Sequence, residues 1–294
     1  MAEQFRVHDR IVTYLDSAPW PSGVAQHVAP AGLAEGAQGA LSPNALVLIH
    51  AFPMNADMWE AQLDGVPDGW RYVAPDLRGF GRSDPGQPNG AGSVSMDDYA
   101  RDILALLDHL HVDRAVVAGL SMGGYAAFAL LRLAPQRVRG LVLANTRAEA
   151  DGEDARNARE AMVDLLDRDG VSAVAEQMLP RLMGETTRVE RAGVQDRVRA
   201  IANANSAGGV RDAIRRMMAR PDSSPLLRDI TCPTLVIASD EDTVTPLPGA
   251  RKMTQAIPGA TLTVIPRAGH LSNMEQPGDF NAAVRRFLAQ HFGG

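Results

Sequence analysis

The chain has 294 residues, 45% of them hydrophobic and 22% charged, with a net charge of −6. That apolar content excludes a disordered chain, and the single cysteine, Cys232, excludes an internal disulfide and a cysteine-rich zinc site. The basic residues are scattered arginines plus one lysine, Lys252, so no basic block points to nucleic acid.

The opening Met1-Ala2-Glu3-Gln4 lacks the basic and apolar regions of a signal peptide. The longest apolar run, Tyr125 to Leu131, is far short of the roughly 20 residues of a membrane helix. The chain therefore reads as soluble, cytoplasmic and free of membrane partners. Ile11 to Leu15 has strand character, but Pro19, Pro21, Pro30 to Ala40 and Pro43 read as loop. Leu46 to Ile49 is a short apolar run of buried-strand type, and Tyr72 to Ala74 is another, stopped by Pro75. A Gly- and Pro-rich loop runs from Gly79 to Gly92. Ser95 to Asp98 has capping-box spacing, followed by Tyr99, Ile103, Leu106, Leu107 and Leu110 at helical spacing. Strand Ala115 to Ala118, helix Met122 to Ala134 and strand Val138 to Ala144 follow. Apolar strands without strict alternation fit a mostly parallel sheet covered on both faces, with the helices as crossovers.

From Thr146 to Arg228 the strand signal disappears. Helices are predicted near Ala155 to Arg168, Val171 to Leu182, Val189 to Asn203 and Val210 to Met218. Strand Thr234 to Ala238, helix Ala250 to Ile257, strand Thr261 to Ile265 and helix Phe280 to Phe292 then resume the earlier logic. The expected organisation is an α/β core over 1–145 and 229–294, with 146–228 inserted as a helical cap. Cys232 precedes a buried strand and reads as structural.

Gly119-Leu120-Ser121-Met122-Gly123 fits G-x-S-x-G. A strand runs into it and a helix leaves it, which is the context a strained nucleophile turn requires. A serine hydroxyl needs a base, and the base an orienting acid. After a nucleophile turn of the G-x-S-x-G kind, the expected chain order is Ser, acid, His. His270 follows the last strand, on the same sheet edge as Ser121, whereas His291 lies three residues from the end. The acid should follow strand Thr234 to Ala238, where Asp240, Glu241 and Asp242 stand together. Asp242 is best placed after the turn, with Asp240 as fallback. Two oxyanion donors are needed. The N–H of Met122 is one, and Phe52, in the loop after Leu46 to Ile49, is the second. His50 precedes the serine and is read as a hydrogen-bonding shaper of that loop. Substrate contacts are assigned to Arg147, Val244 and Leu271. Arg147 directly follows a strand and can meet a substrate carboxylate or sit at a cap hinge. Met162, Met178, Met183, Met217 and Met218 read mainly as cap core, a few of them as lining of an adaptable apolar pocket.

These motifs, with His50-Ala51-Phe52-Pro53, Pro75 to Asp84 and Ala268-Gly269-His270, resemble the α/β-hydrolase superfamily from about Leu46 to Phe292. Phe52 to Trp59 and Gly269 to Pro277 look like the 3-oxoadipate enol-lactonase and esterase group. The resemblance implies an α/β-hydrolase fold with an inserted helical cap. It implies a cofactor-free, metal-free serine hydrolase acting on a small ester or lactone. C–C hydrolysis, perhydrolysis and acyl transfer share the same triad, and a non-turnover ligand receptor shares the fold. The sequence departs from the pattern at Ala51, where the family usually has Gly, and in residues 1–44, which are longer and less strand-like than the usual opening hairpin. Ser121 argues against the relatives that use an aspartate nucleophile.

Overall fold

The computed structural model describes residues 2–7, 10–17, 44–85 and 94–293. Eight strands form one sheet: β1 (Ala2–Val7), β2 (Arg10–Asp16), β3 (Asn44–Ile49), β4 (Trp70–Pro75), β5 (Ala115–Leu120), β6 (Val138–Ala144), β7 (Thr234–Ser239) and β8 (Thr261–Ile265). Around them run α1 (Glu60–Leu63), α2 (Met96–His109), α3 (Met122–Leu133), α4 (Glu153–Leu182), α5 (Glu185–Glu190), α6 (Ala192–Asn203), α7 (Ala207–Ala219), α8 (Leu247–Ala256), α9 (Ser272–Glu275) and α10 (Pro277–Phe292).

The sheet order is β1-β2-β4-β3-β5-β6-β7-β8. β1 and β2 pair antiparallel, as do β2 and β4, and the other pairs are parallel. The opening segment is therefore more regular than expected: β1 and β2 form a full hairpin on the sheet edge. Its β1 half carries little apolar signal because Phe5 is its one buried residue. The proline-rich stretch 18–43 and residues 86–92 of the Gly79 to Gly92 loop lie outside the described residues.

Successive strand residues serve opposite faces. Leu46, Leu48, Val116, Ala118 and Val142 belong to the apolar layer that holds Phe280, Val284 and Phe287 of α10. Val47, Ile49, Val117 and Leu143 belong to the layer that holds Tyr99 and Ile103 of α2 and Phe128 of α3. Two covered faces require both residue sets to be apolar, which explains the unbroken apolar strands. Each fully buried Val, Leu or Phe contributes on the order of 1.5–3 kcal/mol.

The α2 start is a capping box. Ser95 Oγ accepts from the Asp97 N–H at 3.1 Å, and Asp98 Oδ2 accepts from the Ser95 N–H at 3.2 Å. Between β6 and β7 lie only helices and turns, α4 to α7. α4 is broken at Gly170, whose φ is 81°, so the two helices expected on either side of that glycine are both present. The helix expected over Val189 to Asn203 is split at Arg191 into α5 and α6. Among the described residues, no helix is long and apolar enough to cross a membrane.

β3 pairs with β4 on one side and β5 on the other, so strand order reverses there. Ligands of open α/β sheets bind beyond the strand C-termini at such a reversal. The register aligns those ends, with Ile49 opposite Gly119, Leu120 opposite Ala144, and Ser239 opposite Ile265. The loops after β3, β5, β6, β7 and β8 consequently emerge along one edge.

Candidate active site

Ser121 stands between the last residue of β5 and the first of α3, with φ 55° and ψ −112°. Few L-residues adopt such a backbone, and it persists only where the surroundings over-determine it. Here they do. The Ser121 N–H donates to Ala144 O at 2.9 Å, and Ser121 O accepts from Thr146 Oγ1 at 2.8 Å and from the Gly124 N–H at 2.9 Å. The turn closes because its glycines admit contacts no side chain would tolerate. A Cβ on Gly119 would sit 2.3 Å from Gly123 O, and one on Gly123 would sit 2.1 Å from Ile49 O.

The Ser121 Oγ lies 2.7 Å from His270 Nε2, and His270 Nδ1 lies 2.9 Å from Asp242 Oδ2. A carboxylate only accepts, so Nδ1 carries the proton and Nε2 is left to accept from the serine hydroxyl. Both His270 and Asp242 are buried. Asp242 Oδ1 accepts from the N–H groups of Val244 (2.7 Å) and Thr245 (3.0 Å). Its Oδ2 accepts from Thr245 Oγ1 (2.6 Å) and Asn145 Nδ2 (2.9 Å). Burial pushes the Asp242 carboxyl up, but the charge and hydrogen bond of His270 and the bonds from Thr245 outweigh it. The group is held well below the usual carboxylate range. Of the three acids considered in this loop, Asp242 is the one the structure brings to His270. Asp240 is exposed, and Glu241 turns toward α5, accepting from the Thr186 N–H at 2.8 Å.

Phe52 lines the cavity above Ser121, and Met122 is the first residue of α3, where helix N–H groups have no partner within the helix. His50 ties the Phe52 loop down. Its Nδ1–H donates to Ala51 O at 2.9 Å, and its Nε2 accepts from the Leu77 N–H at 3.1 Å. Full burial pulls the His50 imidazole down to about 4, so it stays neutral and can both donate and accept.

The cavity that opens on Ser121 and His270 has a volume of about 340 Å³. Tyr125, Met162, Met178, Leu182 and Met217 make its wall largely apolar, so three of the five methionines considered do face it, while Met183 is buried elsewhere in the core. Arg147, Arg159 and Arg181 add cationic groups. Arg159 pairs with Asp151, which also meets Arg220 at 2.8 Å. Arg147 donates to the carbonyl of Val244, and both residues line the cavity. Leu271, assigned to the substrate from the sequence, does not. The chain turns at Leu271 into α9, and its fully buried side chain joins the apolar layer with α10.

Sequence reasoning missed Asn145. It directly follows β6 with φ 43°, and its amide bridges Asp242 Oδ2, Ser239 Oγ (3.0 Å) and Ser272 Oγ (2.6 Å). The available signal was an Asn, tolerant of positive φ, at a strand end on the same edge.

Comparison with known proteins agrees with this architecture. Residues 44–277 match the α/β hydrolase fold family. A 3-oxoadipate enol-lactonase of Acinetobacter baylyi is 30% identical over 244 residues, covering 83% of this chain and 88% of that protein. A putative carbamate hydrolase of a Caulobacter species is 32% identical over 233 residues, covering 79% and 85%. A solved esterase from Thermogutta terrifontis superposes with a TM-score of 0.85 at 32% identity, covering 99% of each chain. The chain belongs to the α/β-hydrolase fold family.

Proposed function

We propose that this chain hydrolyses a small carboxylic ester or lactone through a serine acyl-enzyme. The observation that carries the proposal is the Ser121–His270–Asp242 chain of hydrogen bonds, at 2.7 and 2.9 Å, on the floor of the cavity. His270 Nε2 takes the Ser121 proton as Oγ attacks the carbonyl carbon. The N–H groups of Phe52 and Met122 receive the oxyanion, each such donor contributing about 3 kcal/mol to the barrier reduction. The tetrahedral intermediate collapses, His270 gives its proton to the leaving oxygen, and the acyl group stays on Ser121. Water, deprotonated by His270, then attacks the acyl carbon, the Oγ–acyl bond breaks, His270 returns the proton to Ser121 Oγ, and the acid leaves. Asp242 keeps the imidazole in the productive tautomer and balances its positive charge at each step.

The 146–228 segment acts as a cap. Its Met162, Met178, Leu182 and Met217 meet the apolar part of the substrate and exclude water. The cavity of about 340 Å³ stands at the small end of ligand sites, which run from about 300 to 1,000 Å³. The enol-lactonase and esterase relatives point to the same bond class.

The test is a panel of short aryl esters and small lactones, with wild type beside Ser121→Ala. Wild type should turn over at least one, and Ser121→Ala should lose at least about 10⁴-fold in kcat/KM with an unchanged circular dichroism spectrum. Retained activity in the variant defeats the mechanism. A folded wild type that neither hydrolyses the panel nor reacts with a fluorophosphonate favours a ligand receptor.

A further inference from the structure

Glu275 is completely buried at the end of α9, five residues past His270. Its Oε1 accepts from the N–H of Gly269 at 3.0 Å and from the N–H of Leu271 at 3.1 Å. These amides belong to the two residues that flank His270. Its Oε2 accepts from the N–H of Gly184 at 2.8 Å, at the junction of α4 and α5. The same junction returns the contact, because Leu182 O accepts from the N–H groups of His270 (3.1 Å) and Leu271 (3.2 Å). The two backbones press together so closely that a Cβ on Gly269 would lie 2.1 Å from the Gly184 nitrogen. Leu182 itself lines the cavity.

A buried carboxylate is costly unless hydrogen bonds satisfy it. Burial pushes the Glu275 carboxyl up, against the opposing pull of the Thr187 hydroxyl and of these amides. An apolar residue here would leave the Gly184 and Gly269 N–H groups buried without this acceptor, so the carboxylate is explained by what it holds. We infer that Glu275 is a positioning residue for His270: one carboxylate holds the N–H groups of the two residues that flank the histidine and locks them to the end of α4 that walls the cavity. This rests on His270 being the general base. The imidazole must face Ser121 and Asp242 at once, and a loop free to shift by about 1 Å would lose on the order of 10²-fold in rate.

The experiment compares wild type, Glu275→Met and Glu275→Gln by ester kinetics and by NMR of the His270 Nδ1 proton, assigned by its loss in His270→Gln. Glu275→Met removes both carboxylate acceptors and leaves the Leu271 N–H only Leu182 O. It should displace or abolish the His270 resonance and lower kcat about 10²-fold, with KM changed far less. Glu275→Gln keeps one acceptor, which best serves the two amides at Oε1, and turns its NH₂ toward Gly184. It should recover most of the lost kcat and the His270 resonance, while amide exchange at Gly184 rises at least about 10-fold. A folded Glu275→Met with an unchanged His270 resonance and kcat overturns the inference. So does activity lost only in proportion to unfolded protein. If Glu275→Met does not fold, Glu275→Gln decides: unchanged exchange at Gly184, or loss of the His270 resonance, overturns it. If wild type hydrolyses no ester or lactone, the hydrolase proposal falls, and the resonance and exchange measurements still decide the role of Glu275.

Discussion

Two different walls meet at Ser121. One is made by the ends of β3, β5, β6, β7 and β8, where nearly every polar atom has a fixed partner. Asp242 alone accepts four hydrogen bonds besides that of His270, and the Gly119–Gly123 approach leaves no room for a methyl group. The other wall is α4 with the end of α7. Its Arg159, Met162, Gln177, Met178 and Arg181 are half-exposed or exposed, and few of their contacts restrict the choice of side chain. The first wall is built to hold one geometry, the second to hold a shape that substitution can change. Under the proposed function, the contrast separates where the chemistry would reside from where selectivity would reside.

The largest expected effect falls on the first wall. An amide at Asp242 places an NH₂ against either the Val244 and Thr245 amides or the Asn145 and Thr245 donors, and it no longer balances the imidazolium. Asp242→Asn should therefore lower kcat by about 10⁴-fold. Fluorophosphonate labelling should slow in parallel and the fold should persist. A loss under about 10-fold would mean that the dense hydrogen bonding at Asp242 serves the fold and not His270.

The same contrast explains what the sequence reveals. The Ser121 turn is legible because its glycines are required at fixed spacing, and His270 and Asp242 because strand order limits where they can lie. The break at Gly170 is legible as a glycine between two helical patterns. Asn145 is marked locally only by its place at a strand end, since Asp242 lies 97 residues away. Nothing in the pattern shows that the Glu275 carboxylate turns back to Gly269 and Leu271, six and four residues before it, and across to Gly184, 91 residues away. β1 is obscure because one buried Phe5 leaves no alternation to read. Leu271 is misread because proximity to His270 in the chain says nothing about which way a turning backbone aims the next side chain.

A smaller effect on the first wall is a pH dependence of stability. His50 has a folded value of about 4 against 6.5 when unfolded, because burial disfavours its charge. Between those values the unfolded state binds the proton and the folded state does not. Stability from this residue is therefore complete above pH 6.5 and falls as pH drops toward 4, by on the order of 3 kcal/mol. Asp242, depressed, acts in a lower window, losing its contribution as pH falls below the ordinary value of 3.8. Glu275, raised by burial, works in the opposite sense and favours the fold as pH falls. Urea unfolding of wild type and His50→Asn from pH 7 to 4.5 isolates the His50 share. Parallel slopes for the two proteins would show that the loop after β3 does not hold a neutral imidazole.

The smallest effects belong to the second wall. Met162 is half-exposed on α4, so truncation removes cavity surface without opening the core. A lost apolar contact with substrate is worth about 1–3 kcal/mol. Met162→Ala should accordingly raise KM by roughly 5- to 10-fold for the better substrates. It should change kcat by no more than about 3-fold and reorder the preference among acyl chain lengths. Arg181→Gln, at an exposed residue on the same wall, should change stability by less than about 0.5 kcal/mol and act through KM alone. The split between the constants is the decisive reading. Uniform binding lost from a wall raises KM, whereas geometry lost at the reacting atoms lowers kcat. If Met162→Ala lowers kcat as steeply as Asp242→Asn does, the two walls are one mechanical unit. The tie that Glu275 makes between α4 and the His270 loop would then carry strain from the cavity wall directly to the base.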